Sequence, residues 1–204
     1  MTQPQDILDF WFQGVTDETL INKKSSPFSQ WFNKNESFDQ NIRERFEEDF
    51  KKAVGGQYQD WANSAKGLLA LIILCDQFSR NMYRNSPQMF AGDSLALKLT
   101  LEAIQNGTDE QFSLIERTFL YMPLMHAEDL GVQNMSLECF SELIEECKVK
   151  NPRNVSYYEY SFDYAKRHQA IIERFGRFPH RNITLKREST ALELAFLKKP
   201  GSSF

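Results

Sequence analysis

LLALIILCDQFSRNMYR, residues 68–84, decides the fold. Leu68, Leu69, Leu71, Ile72, Ile73 and Leu74 leave no polar side to the first part of this stretch. A helix that is apolar all round lies at the centre of a core. The sequence then turns polar at Asp76, Gln77, Arg80, Asn81 and Arg84. On a continuing helix, Asp76 and Arg80, Gln77 and Asn81, and Arg80 and Arg84 are each four apart and stack on adjacent faces. Polar groups at the end of a buried helix must be paired or lie at a cleft. The plain reading is an Asp76–Arg80 pair that closes the helix end; the sharper one is a binding site.

Working outward, helix signals recur. Ile7, Leu8 and Trp11 share a face before Gly14, with Thr2 as cap and Pro4 behind it. Ser26-Pro27 is a start signal ahead of Phe28, Trp31 and Phe32. Phe38, Ile42, Phe46 and Phe50 form a stripe that Gly55 ends, and Ser64 caps the apolar run. Ser86-Pro87 opens the next segment and Gly107 closes it. Thr108 and Gln111 have capping-box spacing, and Pro123 is expected to interrupt a helix after Tyr121. Leu137 to Cys147 and Tyr158 to Phe175 are two further stripes, the second ending at Gly176. Thr190 with Glu193 is a second capping-box pattern. Leu20 and Ile183 are expected to anchor the loops around 14–26 and 176–190. No stretch alternates strictly, so the expected fold is all-α, with roughly eight to ten helices. Short connections suit antiparallel helix pairs.

Composition excludes classes. The chain has 204 residues, 41% hydrophobic and 25% charged, a globular balance that allows one domain, residues 1–204, with a sizeable core. Its net charge of −4 disfavours a general nucleic-acid binder. The start, MTQPQDILDFWFQG, lacks the positive region of a secretory signal, and the longest apolar run, 68–75, is too short to span a bilayer. Cys75, Cys139 and Cys147 form no CxxC. A reducing, cytoplasmic setting with cysteines as small core residues is the expectation.

Two more features stand out. RFGRFPHRNITLKR, 174–187, holds Arg174, Arg177, Arg181, Lys186 and Arg187 with no acid. Phe175, Phe178 and Pro179 interleave with the charges, unlike a solvated tail, and arginine's planar fork suits carboxylate or phosphate. The bland reading docks this loop on residues 109–147, which hold nine acids and one basic residue, Arg117. The other leaves some arginines lining an anion pocket. The three histidines are His126, His168 and His180. His168 shares the apolar arc of its helix with Ala165 and Ile172, the usual place of a core histidine. His126 and Glu128 are two apart, so on one helix they diverge. Neither HExxH nor CxxC is present to support zinc, and no cofactor is expected. GxGxxG, GxxxxGK[ST] and GxSxG are missing too.

The segments LDFWF (8–12), FDQNIRERF (38–46), LLALIILCDQFSRNMYR (68–84), MPLMHAED (122–129), HQAIIERFGRFPHRN (168–182) and LKREST (185–190) together resemble the domain of unknown function 924 family. The likeness covers essentially the whole chain. It implies an all-helical fold akin to tetratricopeptide-repeat proteins and implies no reaction. The family's motif residues fall on Asp76, Gln77, Arg80, Asn81, Arg84, His126, Glu128, Gln133, His168, Arg174, Gly176, Arg177, His180, Arg181, Asn182 and Arg187. Ser79 stands where members usually carry Pro, and Lys186 where they often carry Gly.

Four functions compete. The first is binding of a small anion by Arg80, Arg84, Arg177 and Arg181, with Asn81, Gln133 and Asn182 orienting it. The second is a hydrolase-type enzyme in which His126 or His168 is the acid or base and Glu128 or Asp76 orients it. The third is a peptide-binding module of stacked helices. The fourth, RNA binding by the 174–187 loop, is disfavoured by the acidic remainder. Ligand and oligomeric state are not written in the sequence.

Overall fold

The structure is a computed structural model that describes residues 2–203, so the two end positions of the expected 1–204 domain lie outside it. The described residues form helices and no strand: α1 (Pro4–Phe12), α2 (Ser26–Phe32), α3 (Glu36–Val54), α4 (Ala65–Ile72), α5 (Ser79–Met82), α6 (Asp93–Gln105), α7 (Leu114–His126), α8 (Leu130–Lys150), α9 (Val155–Phe175) and α10 (Ala191–Leu197), with short 3-10 turns between some of them. Helices α4 and α5 are joined through Ile73–Phe78 in the wider π-helical form, so residues 65–82 make one rod.

That rod is the axis of the core, as its composition requires. Leu69, Ala70, Ile72, Ile73, Leu74, Cys75 and Phe78 are fully buried. Helices α1, α3, α6 and α7 pack around it, and α8 and α9 continue the stack beyond α7. Trp11 sits edge-on to Phe78 and Phe119, and Phe46 packs on Phe78. One continuous apolar cluster runs from Ile7 to Ala165; a small second one, Ile171, Ile172 and Phe178, holds the segment after α9. No helix among the described residues is long and apolar enough to cross a membrane.

The caps refine the punctuation. The Ser64 side chain accepts from Gly67 N–H at the start of α4, and the Thr190–Glu193 box opens α10. Gln3, not Thr2, caps α1, whereas Thr2 Oγ1 donates to Asp49. Thr108 makes no side-chain cap. The box lies five residues on, where Ser113 and Glu116 start α7. Pro123 does not interrupt α7, which runs on to His126. The loop anchors also differ: Leu20 and Ile183 are exposed, and Ile21 and Phe178 are the buried residues that tie these loops down. The side chain adjacent to the expected one faces inward in the first loop because Ile21 N–H donates to buried Asn154 at 3.0 Å, which fixes the backbone there.

Candidate functional site: a cavity at the end of the central rod

The π-helical turn changes which groups the rod presents. It inserts an extra residue per turn and loosens the backbone ladder. The carbonyls of Cys75 and Asp76 are then taken by side chains. Ser79 Oγ lies 2.7 Å from Cys75 O, 3.1 Å from Asp76 O and 3.0 Å from Met89 O, and Arg80 donates to Asp76 O at 2.9 Å. Across from this turn sits Gly92. A Cβ built there would lie 2.4 Å from Cys75 O, so only glycine lets the start of α6 approach so closely.

That approach brings Asp93 to the rod. Arg80 grips Asp93 with two nitrogens, at 2.8 and 3.1 Å, and meets Asp76 at 3.1 Å. Asp76 is fully buried. It also accepts from Gln77 at 2.5 Å, and its Oδ1 lies 2.7 Å from His126 Nδ1. Burial works to raise the Asp76 pKa, but Arg80 and His126 outweigh it and hold the carboxyl well below its usual range. Burial, helped by the Arg80 charge, lowers that of His126. The pair is therefore an ionised carboxylate and a neutral imidazole at neutral pH. A carboxylate only accepts, so His126 Nδ1–H donates and Nε2 carries the ring's lone pair.

The sequence segment 174–187 closes the other side. Arg181 is 7% exposed and its guanidinium lies 4.4 Å from the Phe178 ring centroid and 4.8 Å from that of Phe90. Its nearest carboxylate is Asp93 Oδ2 at 3.7 Å, the oxygen already held by Arg80, and its Nε has no hydrogen-bond partner. Burial, with the Arg80 charge, pulls its pKa down to about 10. His168 Nδ1 donates to Tyr164 O at 2.8 Å, and its ring lies 5.9 Å from that of His126. Burial keeps it neutral well below its usual pKa, and lowers that of His180 to about 4.

These groups surround a cavity of about 530 Å³. Of the residues singled out in the sequence, Gln77, Arg80 and Asn81 line it from the rod and Arg84 from the turn just after it. His126, His168, His180 and Arg181 line it from α7, α9 and the segment beyond. Trp31, Phe32, Met89, Phe90, Met122 and Met125 form the apolar part of the wall, and Asn85, Tyr160, Ser161, Tyr164, Thr184 and Ser203 complete the lining. Among the described residues, no group of three or more His, Cys, Asp or Glu side chains is placed to hold a metal ion.

Sequence comparison places the chain. The family model for bacterial proteins of unknown function, DUF924, matches residues 7–201. The chain belongs to this family. A solved structure, that of a protein of unknown function from Agrobacterium tumefaciens, is 34% identical, with 96% of both chains covered and a TM-score of 0.76. No curated protein sequence matches.

In this DUF924 protein the remaining motif residues do structural work. Gln133 Nε2 donates to the carbonyls of Met125 and Ala127, both at 2.7 Å, and so caps the end of α7. Glu128 lies between the end of α7 and the start of α8. It accepts from Phe178 N–H at 2.8 Å and from Arg187 at 2.6 and 2.9 Å, pinning the basic segment to the body. Asn182 accepts from Arg187 and donates to Ser189. Arg177, expected to meet a ligand, is instead forked onto Glu193 at 2.7 and 2.9 Å. Arg174 lies over Phe175 and Phe196. Arg84 and Asn81 both bond Asp39. The expected docking on the acids of 109–147 holds for Arg187 with Glu128. Arg177 and Arg181 find Glu193 and Asp93 instead, because the fold brings α10 and α6 closer. The residue that sequence reading missed is Asp93, which stands in the first turn of α6 and carries no motif signal of its own.

Proposed function

We propose that the protein binds a small anionic ligand in the cavity between the rod and the 174–187 segment. The observation that carries this reading is Arg181. A guanidinium that is this buried normally has its donors filled, yet Arg181 shares one carboxylate oxygen at 3.7 Å and has an unpartnered Nε. Arg181 lines the cavity, so an anion entering it meets the guanidinium with the weakest compensation. Arg80 supports the site by fixing Asp93 and Asp76. We place the protein in the reducing cytoplasm, in keeping with its three free, buried cysteines.

The test is calorimetry and thermal shift with acetate, sulfate and inorganic phosphate. Saturable binding that Arg181→Gln weakens at least tenfold, in a variant with native melting behaviour, supports the reading. No response to any anion overturns it.

The Asp76–His126 contact favours a second reading, acid/base chemistry of the hydrolase type on that anion. Asp76 orients the imidazole and leaves Nε2 as a base toward a bound ligand or water. If a ligand is turned over, His126→Gln should abolish turnover and leave binding within a few-fold. The peptide-binding, repeat-like reading draws only on the successive packing of α7, α8 and α9. Convergence of charge on one cavity favours the small ligand.

A further inference from the structure

We infer that the ligand is an amphiphilic monocarboxylate, its head on Arg181 and its apolar body along the methionine and aromatic wall. This rests on the anion-binding reading and names the ligand class.

Three observations point there. The first is the division of the cavity. Arg80, Arg181, His126 and His168 are linked through Asp76, Asp93 and the contact between the two imidazoles, whereas Trp31, Phe32, Met89, Met122 and Met125 supply thioethers and rings, with hydroxyls such as those of Ser161 and Thr184 also in the lining. A sugar or nucleotide body needs hydrogen bonds along its length, and an apolar wall leaves those groups unpaired. Methylene or aromatic carbon meets the same wall without loss, and methionines adjust to irregular shapes.

The second is the charge count. Arg80 and Arg181 balance Asp76 and Asp93, which lie in the same ion-pair network. The three histidines add no charge at neutral pH because burial keeps them neutral. Around them, Arg84 is matched by Asp39, and Arg187 by Glu128. A phosphate dianion would put two negative charges beside two carboxylates in a neutral cluster. A carboxylate puts one there, against the guanidinium with the weakest compensation.

The third is the presentation of Arg181. Phe178 and Phe90 lie against its guanidinium. Rings stack on guanidinium faces, which leaves the N–H edge to bond in plane. A planar carboxylate matches that fork.

The experiment is calorimetry at constant ionic strength with acetate, butyrate, hexanoate, octanoate and phenylpropionate, with octan-1-ol and inorganic phosphate as comparators. Each methylene laid on the wall is worth about a fourfold gain in affinity, from ~0.8 kcal/mol per buried CH₂. Hexanoate should therefore bind about fifteen times more tightly than butyrate, and octan-1-ol at least tenfold more weakly than octanoate. Met89→Gln, a half-buried wall position, should flatten the chain-length series and leave acetate binding intact. Arg181→Gln should remove the advantage of octanoate over octan-1-ol. A flat series, or phosphate above hexanoate, overturns the ligand class while anion binding stands. No response to any compound overturns both.

Discussion

Replacing Asp76 by alanine should destabilise the protein by about 2–4 kcal/mol. The carboxylate is fully buried and has three partners: Arg80 at 3.1 Å, His126 at 2.7 Å and Gln77 at 2.5 Å. Removing one member of a buried pair usually costs ~3–5 kcal/mol because the other charge is stranded. Here the loss is partial, since Arg80 keeps its two bonds to Asp93. The lost hydrogen bonds to Gln77 and His126 add about 1 kcal/mol each. The assay is urea unfolding of parent, Asp76→Ala and Asp76→Asn. With a slope of about 2 kcal/mol per M, the alanine midpoint should fall by roughly 1–2 M. Asparagine keeps an acceptor for His126 but loses the charge and turns an N–H group toward Gln77, whose amide must flip to accept it, so it should fall between. Arg84→Ala is the control: its ion pair with Asp39 is partly solvated and should be worth less than about 1 kcal/mol. An alanine midpoint no lower than that of the control would refute the account of Asp76 as the centre of the network.

Three further outcomes follow from other parts of the molecule. Gly92→Ala should cost about 2 kcal/mol or more in the same assay, because its Cβ would press on the Cys75 carbonyl at 2.4 Å; a neutral result would mean that α6 can shift away from the rod. Gln133→Ala should cost roughly 1–2 kcal/mol by uncapping the carbonyls of Met125 and Ala127, with faster amide exchange confined to the end of α7 as the check. Stability should fall as pH drops from 6.5 toward 4. The folded pKa values of His126, His168 and His180 lie below 6.5, that of His180 at about 4, so the unfolded chain takes up protons first. Each histidine contributes at most ~1.4 kcal/mol per pH unit in that window and nothing above it. Urea midpoints at pH 7.5, 6 and 5 measure this, and equal midpoints would show that the histidines are solvated.

The all-helical class was legible in residues 68–78 and in the stripes around them, because burial on all sides and on one face leave different local patterns. So were the stops at Gly55, Gly107 and Gly176 and the Ser64 cap; Gly107 and Gly176 take a positive φ, and after α3 it is the neighbouring Gly56 that does so. The Asp76–Arg80 pair was legible too, since spacing along a helix brings it together whatever surrounds it. Docking of the basic segment on the 109–147 acids was legible in part, through Arg187 and Glu128, but most pairings between distant segments were not. Asp93 drew no notice in the sequence and is the carboxylate shared by Arg80 and Arg181, because Gly92 lets α6 reach the π turn. Arg177 and Arg181 read alike in sequence. Arg177 is neutralised by Glu193, and Arg181 is sealed against aromatic rings with donors to spare. Local pattern reports which face is apolar. Only the packing of whole helices decides which buried charge meets its partner and which one is left facing a cavity.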